Sequence, residues 1–455
     1  MKIKLLILFT ILPFLLSAQY QIKYNVKNCK DSIIYFKGCV FDDNNFIPKD
    51  TIKSYQKNLK STSLKPIVGG IYYLQFPKSK LKIYFTLANR DSLTFSFSGD
   101  KPLENIKCSN KSNQLFFAYQ RLEEKFSTVD SIYKQLQTSR KFSISQREVF
   151  YKEKRDSLYN FRSKALKILK PSDILAEHFK TLNTLDEYVP SKIDYESRKK
   201  FLDKFNLNEP NLLFTTSFKP ILTEYLSSFP QSADSITKGM DEVLAKVDCK
   251  SKAYPFVFDF FTKLMRNRNI LNNTDGYVYL IEKHLKNGKC KLADAKKAKE
   301  YLDQYSKIAA LTKKDTCFNI VLNDTLNAPQ DLHLFARKFD YTVVMFYDPD
   351  CDHCQVEVPK MDYEISRIEK ILKIKIGKYA VCNAPGISKK KWSDFILKYQ
   401  LKTNYVHVSI PANSKIQEHF DAYTNPVFHL INKNMIFESQ KISSVSLPKF
   451  FATQH

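Results

Sequence analysis

Apolar positions fall into three regimes along the 455-residue chain. From 19 to about 108 they come in short runs: Ser32-Ile33-Ile34-Tyr35-Phe36, Ile71-Tyr72-Tyr73-Leu74-Gln75-Phe76, and Leu93-Thr94-Phe95-Ser96-Phe97, the last with period two. β-Branched and aromatic runs of this length predict strands. Asp42-Asp43-Asn44-Asn45, Gly69-Gly70 and Asn89-Arg90-Asp91 predict turns between them. The expectation is a small antiparallel β domain over 19–108, a sandwich or barrel without a catalytic constellation.

Over 109–312 the spacing becomes helical. Ile236, Met240, Val243, Leu244 and Val247 share one face, as do Tyr277, Leu280, Ile281 and Leu285 before the stop signal Asn287-Gly288. Pro171, Pro190, Pro210, Pro220, Pro230 and Pro255 punctuate the region. The charged stretch from Gln114 to Lys170 predicts two long exposed helices. A central all-α domain follows, its apolar stripes read as core and its charge runs as solvated faces.

Over 313–455 strand and helix alternate. A strand at Tyr341–Tyr347 precedes a helix with Met361, Ile365, Ile368 and Leu372 on one face. A strand near Ile374–Cys382 follows, then a helix marked by Trp392, Phe395, Ile396 and Tyr399. Next come a strand at Tyr405–Ile410, a short helix at 414–421, a hairpin about Asn432-Lys433-Asn434, and a closing helix with Leu447, Phe450 and Phe451. This order predicts an α/β domain with a central sheet flanked by helices.

The N-terminus adds a destination. Met1-Lys2-Ile3-Lys4, an apolar run from Leu5 to Leu16, and Ser17-Ala18-Gln19 have the plan of a signal peptide, residues 1–18, cut after Ala18. The run is too short to span a bilayer comfortably, which takes about 20 residues. The mature chain is expected to be soluble, without an integral membrane span, and periplasmic or secreted. The formal charge is +25, and +23 without Lys2 and Lys4. Export and the even spread of lysines argue against nucleic acid as the partner; loose attraction to an anionic envelope surface stays open.

Nine cysteines remain: 29, 39, 108, 249, 290, 317, 351, 354 and 382. The odd count leaves at least one thiol unpaired within a chain. Cys29 with Cys39 and Cys249 with Cys290 are candidate structural pairs, and unpaired buried thiols are equally consistent. The chemistry concentrates at Cys351-Asp352-His353-Cys354, directly after the strand 341–347. Two cysteines separated by two residues at a strand-to-helix junction are the working group of thiol–disulfide exchange. The helix start, with its free N–H groups, favours a thiolate on the first sulfur. Cys351 is therefore the expected nucleophile and Cys354 the resolving thiol. Asp348, Asp350 and Asp352 oppose a thiolate by like charge.

Residues 313–455 resemble a thioredoxin-like domain of the TlpA/ResA type, and the segment Phe346-Tyr347-Asp348-Pro349-Asp350-Cys351-Asp352-His353-Cys354-Gln355-Val356-Glu357-Val358-Pro359 carries the resemblance. It implies that Pro359 kinks the redox helix. It matches Glu357 to an acidic residue of that branch, a candidate proton acceptor near Cys354. It matches Asn425-Pro426, before an edge-type strand, to a cis-proline that sets backbone beside the disulfide for a substrate strand and keeps metals off the cysteines. The resemblance also implies that His353 favours the reduced form and raises the potential. Three positions depart from the pattern: Asp352 where a small residue is common, Thr316-Cys317-Phe318 where Ala-Pro opens the domain, and Asn425 where Thr is frequent. Upstream, Gly70-Ile71-Tyr72-Tyr73-Leu74 resembles a segment of β domains in exported bacterial proteins that also carry a helical domain of unknown function.

The function expected is an exported thiol–disulfide oxidoreductase that reduces or reshuffles disulfides in envelope proteins and is recharged by an upstream redox partner. The resemblance favours reductase over isomerase or oxidant. No cofactor is expected beyond the redox-active Cys351–Cys354 disulfide. The alternative is a binding or scaffold protein using the β and helical domains, with the thioredoxin-like part as a docking module. Cys351, His353 and Cys354 also offer zinc ligands, but adjacent His353 and Cys354 point apart on a helix and no second CxxC or HxxxH completes a set. Gln355 after Cys354 excludes attachment of a c-type haem. Neither a Gly-rich phosphate loop nor a serine-hydrolase signature is present.

Overall fold

The structure, a computed structural model, describes residues 20–27, 33–46, 51–53, 62–64, 69–78, 80–88, 92–98, 101–138, 144–188, 195–309, 316–411 and 414–453. The signal segment, Cys29 and the turn at 89–91 lie outside the described residues. The chain divides into two compact units, Met1–Glu224 and Tyr225–His455.

In the first unit, strands Asp42–Phe46, Ile33–Val40, Gly70–Phe76 and Leu81–Leu87 lie side by side, all antiparallel, with Thr51–Lys53 also against Ile33–Val40. A second sheet orders Thr62–Leu64, Tyr20–Lys27, Ser92–Ser98 and Lys107–Cys108. Its central pair, Tyr20–Lys27 with Ser92–Ser98, is parallel, which corrects the antiparallel expectation. The chain leaves through the first sheet before returning, so the two strands run the same way. Asp42–Phe46 is strand rather than turn; the reversal falls at Phe41, whose φ is 69°.

Gly70–Phe76 is buried on both faces, in keeping with a sequence whose apolar run only Gln75 interrupts. Tyr72, Leu74 and Phe76 join Phe36, Phe85 and Phe95 in one core. Ile71 and Tyr73 face helices through Phe116, Tyr119, Leu175 and Phe179 in another. Gly70 is dictated by close approach: a Cβ there would lie 2.6 Å from Phe214 Cβ, and the neighbouring Ile71 N–H donates to Phe214 O at 2.8 Å. The predicted long helices form, as Lys111–Thr138 and Ile144–Leu166. The first is not simply exposed. Asn113 pairs with the backbone of Thr86 and Gln120 with that of Tyr84, at 2.7–2.9 Å, so amide side chains close the sheet edge that strand 81–87 presents. The helical stretch is divided between the units, with the boundary inside helix Phe218–Ser227.

The second unit opens with helices Ala233–Lys246, Tyr254–Leu264, Asn273–Leu280 and Ala295–Ile308, the third continuing as a π-helical turn Ile281–Lys286. Cys249 and Cys290 are disulfide-bonded across this region. A five-stranded sheet follows, ordered Tyr405–Ser409, Ile376–Cys382, Tyr341–Tyr347, Val427–Asn432, Phe437–Ser439. The first three strands are parallel and the last two antiparallel to their neighbours. Strand 427–432 is therefore internal, which corrects its reading as an edge; Phe437–Ser439 covers it. Along Tyr341–Tyr347, Val343, Met345 and Tyr347 enter one core, while Val344 and Phe346 enter the other. That strand is central because its residues 342–347 are all buried, which only a sheet covered on both faces allows.

Candidate functional site

The central strand ends at Tyr347, and the chain turns through Asp348-Pro349-Asp350 into helix Asp352–Leu372. Cys351 is the N-cap residue, in extended conformation, and no side chain caps the helix. The turn is held locally: Cys351 N–H donates to Asp348 O at 3.1 Å, and Asp350 N–H to Asp348 Oδ1 at 2.9 Å. Cys354, Val358, Met361, Ile365 and Ile368 form the buried stripe of the helix. Helical spacing thus carries Cys354 into the core while Cys351, one turn earlier, stays half-buried at the end of the element. Pro359 lies inside the helix, where it removes the N–H that would pair with Gln355 O.

Both sulfurs are free thiols. Cys354 Sγ accepts the Asp348 N–H at 3.5 Å. Burial pushes the Cys354 thiol well above the ordinary cysteine range, against the lowering effect of that N–H. The Cys351 thiol faces the backbone of Asn425, with Sγ 3.8 Å from Asn425 O. The Asn425–Pro426 peptide is cis. Asn425 is itself held: Asn383 Nδ2 donates to its Oδ1 and to Ala422 O, each at 2.9 Å, and Asn383 Oδ1 accepts from Gln417 at 2.7 Å.

The structure thus brings Cys351, Cys354, Asn425 and Pro426 together. Asp352 and His353 are exposed on the first helical turn. Asp350 pairs with Lys391 at 2.8 Å. Glu357 sits one turn beyond Cys354, with its oxygens on Lys360 at 3.0 Å and Ser444 at 3.1 Å. Behind the pair, Trp392 Nε1 donates to Tyr347 OH at 2.7 Å, and the same hydroxyl lies 3.3 Å from His407 Nδ1. His407 Nε2 lies 2.8 Å from Leu401 O, and burial lowers this imidazole to about 4. Neutral His407 therefore donates from Nε2 and accepts at Nδ1.

Cys317 and Cys382 belong to opposite faces of the sheet, so they form no second redox pair. Burial pushes each thiol up to about 12, which leaves both inert at neutral pH. Among the described residues, no three His, Cys, Asp or Glu side chains gather as a metal-ligand set. Two contributors gave no linear signal. Asn383 lies 42 positions from Asn425. Arg268 reaches the same turn across 158 positions, donating Nη1–H to Pro426 O.

Neither a family model nor a curated protein matches the chain. Solved structures do. One is a domain of a possible thiol-disulfide isomerase from Cytophaga hutchinsonii, 23% identical with TM-score 0.28, covering 31% of this chain and 92% of that one. Another is a thioredoxin-like protein from Bacteroides caccae, 13% identical with TM-score 0.42, covering 59% of this chain and 95% of that one. A third is the thioredoxin domain of a thiol-disulfide oxidoreductase from Bacteroides vulgatus, 14% identical with TM-score 0.26, covering 30% of this chain and 97% of that one. Nothing about substrate or direction of electron flow transfers from them.

Proposed function

We propose that the chain is an exported thiol–disulfide oxidoreductase, periplasmic or secreted, with residues 1–18 removed. The observation that carries this reading is the asymmetric dithiol: one half-buried sulfur at a helix start facing the backbone of Asn425, and one buried sulfur a helical turn behind it. Cys351 thiolate attacks one sulfur of a substrate disulfide. A mixed disulfide forms and the other substrate sulfur leaves as a thiolate. Cys354, losing its proton, then attacks Cys351 Sγ; the intramolecular disulfide forms and the second substrate sulfur leaves. The protein gives up two electrons and the substrate gains them. An upstream dithiol partner restores the thiols by the reverse sequence. His353 and Asp352, exposed beside Cys351, tune the poise in opposite senses, and Glu357 relays the Cys354 proton. Reductase is favoured over isomerase or oxidant.

The test is the equilibrium potential of the Cys351–Cys354 couple in chain 19–455, titrated in dithiothreitol and glutathione buffers with thiols counted by mass tagging. A reversible couple near thioredoxin's, about −270 mV, supports a reductase, and one above about −200 mV favours an oxidant or isomerase. Absence of any reversible couple sinks the redox reading.

A second reading has its own observation. The first unit holds a cavity of about 440 Å³ lined by Tyr84, Phe116, Tyr119, His178 and Lys219 among others. It suits a binding module. Full cellular function of a Cys351→Ser/Cys354→Ser double variant would favour it.

A further inference from the structure

The turn beside the nucleophile is gripped from outside the α/β domain. Arg268 lies between helices Tyr254–Leu264 and Asn273–Leu280. Its Nη1–H donates to Pro426 O, and its Nη2–H to Thr424 Oγ1 at 3.3 Å. One guanidinium thereby bridges the residues on either side of Asn425, whose carbonyl faces Cys351 Sγ. The fork is anchored in turn. Ser446 Oγ donates to Arg268 O at 3.0 Å, Lys449 Nζ to Asn269 O at 3.3 Å, and Ser443 Oγ to Asn269 Oδ1 at 3.2 Å. Leu271, three residues on, is buried in the core that contains Cys354. A second cation from the helical segment approaches the same turn: Lys307 Nζ stands 5.9 Å from the ring centre of exposed Tyr423.

Arg268 is half-buried, and burial lowers its proton affinity against the attraction of Asp421. Only a planar fork spans two acceptors at a fixed angle; an ammonium does not. Asn425 is held from one side by Asn383 and flanked on the other by the Arg268 bridge. Its backbone faces the Cys351 sulfur, so an extended partner segment laid along it would reach that sulfur.

We propose that Arg268 is a positioning residue that determines specificity: by bridging Thr424 and Pro426 it fixes the Asn425 backbone as the docking edge for extended peptide disulfides. The helical segment of this unit is then part of the substrate site. This rests on the redox reading above and goes beyond it by naming Arg268, a residue of the helical segment, as the group that holds the docking edge in place.

The experiment uses reduced chain 19–455 as wild type, Arg268→Met and Arg268→Lys, each against two oxidants. One is insulin, a polypeptide disulfide. The other is 4,4′-dithiodipyridine, a small uncharged aryl disulfide with no backbone to dock. Loss of a charge-assisted clamp is expected to slow insulin reduction about tenfold in Arg268→Met. The aryl disulfide should stay within about twofold, because attack by Cys351 is untouched. Arg268→Lys should recover less than half of the lost rate, since it keeps the charge but not the bridge. Equal losses on both oxidants, or none on insulin, overturn the proposal while leaving the redox reading intact. Wild type inert toward both overturns the redox reading and the proposal with it. Should Arg268→Met fail to fold, Thr424→Val removes one acceptor from an exposed position and must show the same selective loss.

Discussion

Two cysteine pairs in the 225–455 unit contrast in what separation and setting make of one residue type. Cys249 and Cys290 are bonded across 41 positions, in the helical segment. Cys351 and Cys354 stand three positions apart and are free thiols. In the chain-entropy account, closing the longer loop stabilises the fold by about 4 kcal/mol, and closing the shorter by under about 2 kcal/mol. The long bridge is worth keeping closed. The short one changes stability little either way, so its redox state is free to answer to partners. The setting reinforces this: a helix start and a neighbouring carbonyl surround Cys351, whereas the other pair joins segments that flank packed helices.

The largest expected effect tests that division of labour. Cys351→Ser should reduce insulin-disulfide turnover to the background of the reductant alone, and Cys354→Ser should stop at mixed disulfides visible by mass spectrometry. The Cys249→Ser/Cys290→Ser double variant should keep its turnover at 25 °C. Loss of exchange in that double variant with the fold intact, or normal exchange in Cys351→Ser, breaks the comparison. Next in size, the same double variant should lose about 4 kcal/mol of stability, read as a lowered denaturant midpoint under non-reducing conditions. An unchanged midpoint would mean that the bridge is not structural.

The pH dependence sharpens the contrast between the two sulfurs of the redox pair. Burial raises the Cys354 thiol, so its resolving attack should accelerate about tenfold per pH unit up to and beyond pH 9, because only the thiolate reacts. A plateau below pH 8 in stopped-flow resolution of a preformed mixed disulfide would contradict this. The sign for stability is opposite. The folded state holds a proton that an unfolded cysteine releases above about 8.5. The group's contribution is thus complete below that value and is lost as pH rises above it. The smallest effect belongs to exposed His353. His353→Ala should move the glutathione equilibrium toward the disulfide form by less than tenfold, which is about 30 mV for this two-electron couple. A shift toward the dithiol would reverse the role assigned to that imidazole.

Much of the α/β part was legible because its signals are local. The run at 341–347, apolar but for Thr342, reads as a strand, and the 361-365-368-372 spacing reads as one helical face. The hairpin about Asn432-Lys433-Asn434 forms where its turn residues stand, with Val427–Asn432 against Phe437–Ser439. Edge or interior was not legible at 427–432, because both patterns tolerate an apolar run and only the sheet order decides. The parallel pairing of Tyr20–Lys27 with Ser92–Ser98 was hidden for a related reason. Strand direction depends on the path taken by the intervening residues, not on the two runs themselves. The charged helix Lys111–Thr138 misled because Asn113 and Gln120 read as solvent-facing until a sheet edge is placed beside them.

By itself the sequence determined the dithiol, its place at the end of a strand-like run, and which sulfur stands at the helix start, because both signals are local to 341–354. It offered Cys249 with Cys290 as one of two candidate bridges without deciding between bridge and free thiols. Only the tertiary structure decided that Cys249 joins Cys290, that Cys317 and Cys382 lie on opposite faces of a sheet, and that Asn383 and Arg268 hold the turn at Asn425. These are contacts between residues tens to hundreds of positions apart. Their free energy comes from burial and hydrogen bonding across the finished fold, and such contacts leave no periodic trace along the chain.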